Sequence, residues 1–75
     1  MQELANYLLK ALVDKPEEVV LNALEAEGVI RLKAKVAESD KGKVIGRDGK
    51  VIKAIRAVLS AGAERSGKKL FLDLD

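Results

Sequence analysis

The sequence contains no cysteine, no histidine and no tryptophan, and one proline. Without cysteine there is no disulfide, a common staple of domains this short. Without histidine as well, a zinc site would need carboxylates alone, a poor structural solution. The three serines, Ser39, Ser60 and Ser66, have no base partner in any motif. Lysines and carboxylates can do proton-transfer chemistry, but no pattern assembles them for it. The expectation is a protein that is not an enzyme, with no catalytic residue, no cofactor and no metal ligand. Aromatics are scarce too, only Tyr7 and Phe71. A protein that reads single-stranded bases by stacking them in series would carry more. No apolar run approaches the ~20 residues of a membrane span. The start, Met1-Gln2-Glu3-Leu4, has neither the basic residues nor the apolar stretch of a signal peptide. No membrane partner is expected, and the cytoplasm is the expected location.

What remains is 75 residues rich in Leu, Val, Ile and Ala. That length suits one domain over residues 1–75. Such a chain buries only about 60% of its unfolded surface, so stability rests on an aliphatic core, helix packing or a partner chain.

The net charge of +2 conceals an asymmetry. Residues 1–30 set Lys10 and Lys15 against Glu3, Asp14, Glu17, Glu18, Glu25 and Glu27, a balance of −4. Residues 31–56 set Arg31, Lys33, Lys35, Lys41, Lys43, Arg47, Lys50, Lys53 and Arg56 against Glu38, Asp40 and Asp48, a balance of +6. One contiguous basic segment in a nearly neutral chain is the footprint expected of a polyanion partner, although charge alone suits a set of solvated faces as well.

The periodicity predicts six elements. Leu4, Leu8 and Leu12, with Ala5 and Leu9 beside them, form one apolar stripe of a helix over 3–12. Asp14-Lys15-Pro16 ends it. Residues 18–26 alternate as a strand, paired through Glu27-Gly28 with a clearer strand over 29–37. In the latter, Ile30, Leu32, Ala34 and Val36 face one way and Arg31, Lys33 and Lys35 the other. One covered and one wet face suit a sheet with helices on one side. Ser39 or Asp40 can cap a short helix to Ile45, which Gly46 ends. A second helix runs from Lys50 to about Ala63 with a stripe of Val51, Ile52, Ile55, Val58, Leu59 and Gly62. Lys50, Lys53 and Arg56 share its opposite face. Ser66-Gly67 breaks the chain, and Leu70, Leu72 and Leu74 mark a last strand. The order α-β-β-α-α-β, with two helices as the crossover between the second and third strands, makes those strands parallel. The fold class is α+β: two layers, a three-stranded mixed sheet with three helices on one face.

The stretch Gly42-Lys43-Val44-Ile45-Gly46-Arg47-Asp48-Gly49-Lys50-Val51-Ile52 carries the function. A helix N-terminus offers unpaired N–H groups and partial positive charge, an anion site. Glycines at both loop ends admit a phosphate close to the backbone. Arg47 can fork onto phosphate oxygens, with Lys43, Lys50 and Lys53 adding charge. Asp48 would repel a phosphate, so its expected use is as the N-cap of the second helix. A bare GxxG is more often an ordinary helix–turn–helix corner in which the glycines serve only geometry. The flanking residues and strand order favour the anion site.

The segment Val44 to Ile52 resembles the VIGxxGxxI signature of KH domains, and the element order resembles the type II KH arrangement. Nearly the whole chain is similar to the small single-domain bacterial KH proteins called KhpA-like. The resemblance implies a four-nucleotide cleft for single-stranded RNA, clamped by Gly46, Arg47, Asp48 and Gly49. Val44 and Ile45, with Ile52, match the aliphatic positions around the clamp, some core and some groove. It implies an RNA-binding post-transcriptional regulator or RNA chaperone, and a homodimer or a heterodimer with another KH-containing protein. Lys41 departs from the pattern, standing where an apolar residue is common. Two other readings fit the residues. One is a duplex-DNA reader using Lys50, Lys53 and Arg56 in the major groove, although that face lacks Asn and Gln. The other is a protein-interaction module whose nucleic-acid site is vestigial.

Overall fold

Pro16 and the glycines punctuate the chain, and between them a computed structural model describes residues 2–75. Helix α1 spans Gln2–Leu12, with Glu3 in its first turn and Lys10 in its last, both favourable to the helix dipole. Its buried row is the Ala5–Leu9 side of the expected stripe, with Leu8 packed partly against the core. Ala5 and Leu9 are fully buried and Val13 continues the row, whereas Leu4 and Leu12 are exposed. A methyl at position 5 lets the helix lie close to its neighbours, so the bulkier leucines sit on the shoulder.

A 3₁₀ turn at Pro16–Glu18 follows, and strand β1 begins at Val20, two residues later than expected, and runs to Ala26. Strand β2 spans Val29–Lys35. The two pair antiparallel from Ala26 opposite Val29 to Val20 opposite Lys35. Glu27 and Gly28 between them both have positive φ, as the two-residue type I′ hairpin requires. Strand β3, Lys69–Leu74, pairs parallel with β2, placing Ile30 opposite Leu70 and Leu32 opposite Leu72. The sheet order is β1-β2-β3, so β2 is central and β3 an edge. Helices α2, Lys41–Ile45, and α3, Lys50–Glu64, form the crossover. The α+β architecture and its mixed sheet are those read from the sequence.

The core lies between sheet and helices, with Leu9, Val44, Leu59, Leu32 and Leu72 at its centre. Burial of each such leucine contributes roughly 2 kcal/mol. The α3 residues in this core are Ile52, Ile55, Leu59 and Ala63. Val58, expected in the stripe, is 53% exposed. It shares the side of the helix that bears Val51 and Ala54, which turns toward α1 rather than toward the sheet. With Leu8, Ala11 and Leu12 they line an apolar groove of about 420 Å³. Arg56 is exposed, as expected of that face, but its side chain is not free. Its Nε donates to the Leu72 carbonyl at 2.9 Å, laying the side chain across the edge strand.

Candidate nucleic-acid interface

The approach to the loop is held from behind. Asp40 ends a 3₁₀ turn, Glu38–Asp40, and precedes α2, but the helix cap expected of it is absent among the described residues. Its carboxylate is 1% exposed and points back into the protein. Oδ1 accepts from the Asp14 backbone N–H and Oδ2 from that of Lys15, each at 3.1 Å. These donors belong to the segment where Pro16 breaks the helical hydrogen-bond pattern, so the carboxylate supplies acceptors the backbone there does not. Asp14 returns the contact through its side chain, which pairs with the Lys43 ammonium. That hydrogen bond is the main cause holding the Lys43 pKa above its ordinary value, with the charges of Asp14 and Asp40 adding to it. Lys43 is therefore a cation at neutral pH, but it is engaged with Asp14.

Helix α2 ends where the Gly46 N–H donates to the Gly42 carbonyl at 2.9 Å. Gly46 has φ 75° and ψ 174°. A Cβ there would lie 2.3 Å from Val51 Cγ2 and 2.8 Å from the Val51 nitrogen. Conformation and space both demand glycine. The next three residues, Arg47–Gly49, make a 3₁₀ turn closed by the Gly49 N–H on the Gly46 carbonyl at 3.2 Å. Asp48 (φ 57°, ψ 25°) and Gly49 (φ 74°, ψ 15°) are both left-handed.

This geometry corrects the role expected of Asp48. The boundary residue of α3 is Gly49, and the left-handed backbone at Asp48 is not the extended conformation a capping side chain needs. Asp48 stands exposed at the loop tip instead. Because the cap is glycine, no side chain covers the N–H groups in the first turn of α3. The Lys50 N–H donates to the Arg47 carbonyl and the Val51 nitrogen packs against Gly46, so what the loop meets is chiefly the positive end of the helix dipole.

The remaining residues divide by burial. Val44 is completely buried, so of the two roles open to it the structure assigns core. Ile45 is 40% exposed beside the loop. Arg47, Lys50 and Lys53 are exposed, and no ion pair among the described residues involves them. The surface around the loop thus presents three uncommitted cations, an aliphatic flank at Ile45 and the positive end of the α3 dipole. That combination suits a phosphodiester backbone.

Comparison with known families decides what this loop belongs to. The family model described as KhpA/KhpB, KH domain matches residues 2–74. The chain belongs to this KH family. Relatives are similar across almost their whole length. The RNA-binding protein KhpA of Clostridium perfringens is 45% identical over 74 residues, 99% of each chain. That of Chlamydia trachomatis is 43% identical over 74 residues, 99% of this chain and 95% of the relative. That of Borreliella burgdorferi is 42% identical over 72 residues, 96% of this chain and 88% of the relative.

Within this KH chain, the unusual Lys41 is accommodated at the surface. Its Nζ lies 3.1 Å from a Glu38 carboxylate oxygen, one helical turn back. Asp40 is the residue that sequence reasoning missed. In the run Ser39-Asp40-Lys41-Gly42 it reads as a helix cap, and its partners lie 25 and 26 positions away. No local pattern connects them.

Proposed function

We propose that the chain binds single-stranded RNA, gripping the backbone at Gly46-Arg47-Asp48-Gly49 and laying adjacent nucleotides along Ile45 and the cations of α3. The observation that carries this reading is the Gly46–Val51 approach. It fixes a Cβ-free loop end against the start of α3, beside the uncommitted Arg47, Lys50 and Lys53. The relatives' description as RNA-binding proteins supports the polymer class. The role is binding rather than catalysis, as a cytoplasmic post-transcriptional regulator or RNA chaperone. With a tight backbone clamp and few aromatics, base discrimination by one such unit is low.

The test is Arg47→Asp. Folding, followed by circular dichroism and thermal unfolding, is unchanged, because the side chain is exposed. Affinity for single-stranded RNA is largely lost. The slope of log affinity against log salt falls by about 0.7 unit or more, as one phosphate contact disappears. Undiminished affinity sinks the clamp. Titration with duplex DNA of the same sequence separates the RNA reading from a major-groove reader, and weaker binding to the duplex is expected.

A second property accompanies the first. The apolar groove between α1 and α3 supports pairing with a second KH-containing chain, either a copy of this one or a different protein. Its lining is almost entirely aliphatic, a surface that water leaves unfavourably exposed.

A further inference from the structure

The three helices cover one face of the sheet, and the other carries a different surface. There β2 presents Arg31, Lys33 and Lys35, and β3 adds Lys69, against the carboxylates of Asp73 and, one step on along the same ladder, Asp75. Across the middle of this face the register places Leu24, Arg31 and Phe71 in one row. The Arg31 guanidinium lies 5.0 Å from the centre of the Phe71 ring. Leu24 is 67% exposed and Phe71 47%. Phe71 is one of only two aromatics in the chain, and it points away from the core that Leu70 and Leu72 enter. Packing does not account for an aromatic ring on the wet side of this strand.

We propose that this open face is a second contact surface for single-stranded RNA, with a base stacked on the Leu24–Arg31–Phe71 row and phosphates along the β2 cations. The proposal rests on the RNA reading above and extends it to a surface that reading does not use. Guanidinium planes and aromatic rings both stack with any base. Alternate residues on one face of a strand lie about 6.6 Å apart, a spacing on the scale of successive phosphates in an extended nucleic acid. The charge argues against a protein occupant. Lysine is depleted in protein interfaces, whereas Lys33, Lys35 and Lys69 share the face with this one ring. The domain is only 17 Å across its shortest axis. A strand leaving the loop can therefore pass over the β3 edge, beside Arg56, and reach Phe71.

The test uses the chain's lack of tryptophan. Phe71→Trp puts a single reporter at the centre of the face. The protein is titrated with an oligouridylate of about 20 nucleotides, longer than one binding cleft, while labelled RNA anisotropy is followed in parallel. Tryptophan emission is quenched as the RNA binds. In the double variant Arg47→Asp with Phe71→Trp, binding is weaker but quenching persists. Binding by anisotropy without quenching overturns the sheet surface and leaves the loop reading intact. Quenching with equal affinity in both variants retains the sheet surface and removes the loop. Phe71→Ala supplies the second measurement. It lowers affinity for the long RNA by about fivefold or more and leaves a tetranucleotide unaffected. Equal long-RNA affinity overturns the proposal, and if Phe71→Ala instead lowers the mass seen by sedimentation, the face belongs to a protein contact.

Discussion

Gly46 and Val51 approach so closely that a Cβ on the glycine would fall 2.3 Å from the valine methyl. Gly49, three residues on, is different: a Cβ there meets nothing nearer than Lys53 Cε at 3.9 Å. The two glycines of the loop are thus not equivalent. Gly46→Ala must relieve both a clash with backbone and an unfavourable φ, and is expected to cost about 3 kcal/mol. Gly49→Ala bears the φ penalty alone, about 1 kcal/mol. Urea unfolding of the two variants checks this, and equal losses would refute it.

Val44 and Ile45 are neighbours in the sequence with opposite fates. Val44→Ala removes two buried methyl groups and is expected to cost about 2 kcal/mol, with RNA affinity unchanged at temperatures where the variant is folded. Ile45→Ala trims a half-open side chain, costs under about 1 kcal/mol and weakens RNA binding. Thermal unfolding paired with RNA titration distinguishes the two. The reverse pattern would exchange their roles.

Asp40 carries a stability prediction of its own. Asp40→Ala leaves two part-buried N–H groups without their acceptor and is expected to cost about 2 kcal/mol, a fall in Tm on the order of 10 °C in a chain this size. Asp40→Asn keeps one oxygen acceptor and loses less. A Tm unchanged in both would show that water replaces the carboxylate.

The groove between α1 and α3 predicts association. Leu12→Lys and Val58→Asp both place a charge on exposed apolar surface, so the folded state tolerates them. Each is expected to shift the protein toward the monomer in analytical ultracentrifugation. A wild-type chain that is monomeric at every concentration, alone and with a second KH-containing protein, would refute the pairing.

The fold was legible because its punctuation is strong. Pro16, the Glu27-Gly28 pair and Ser66-Gly67 mark the breaks, and the alternation from Val29 to Val36 identifies the central strand without reference to anything distant. The candidate site was half legible. The glycines stand at the two ends of the loop with Arg47 exposed between them, as type and spacing suggest. Asp48 misleads, because the residue before a helix scores as a cap until the left-handed backbone at Gly49 moves the boundary by one. In α1 the stripe was legible but its centre was not, since periodicity weighs hydrophobicity and cannot see that the tightest contact goes to Ala5. Asp40 and Val58 were out of reach for a shared reason. What each touches, or fails to touch, is set by an element elsewhere in the chain.

The bond from Arg56 to the Leu72 carbonyl has a consequence for how the protein behaves in a crowded solution. A strand at the margin of a sheet is a template on which another chain can assemble, and a carbonyl already occupied by a guanidinium is one rung removed from that template. The same side chain adds a fixed charge at the margin, which discourages a second strand from approaching. Both effects oppose the addition of a strand at that margin, independently of any ligand.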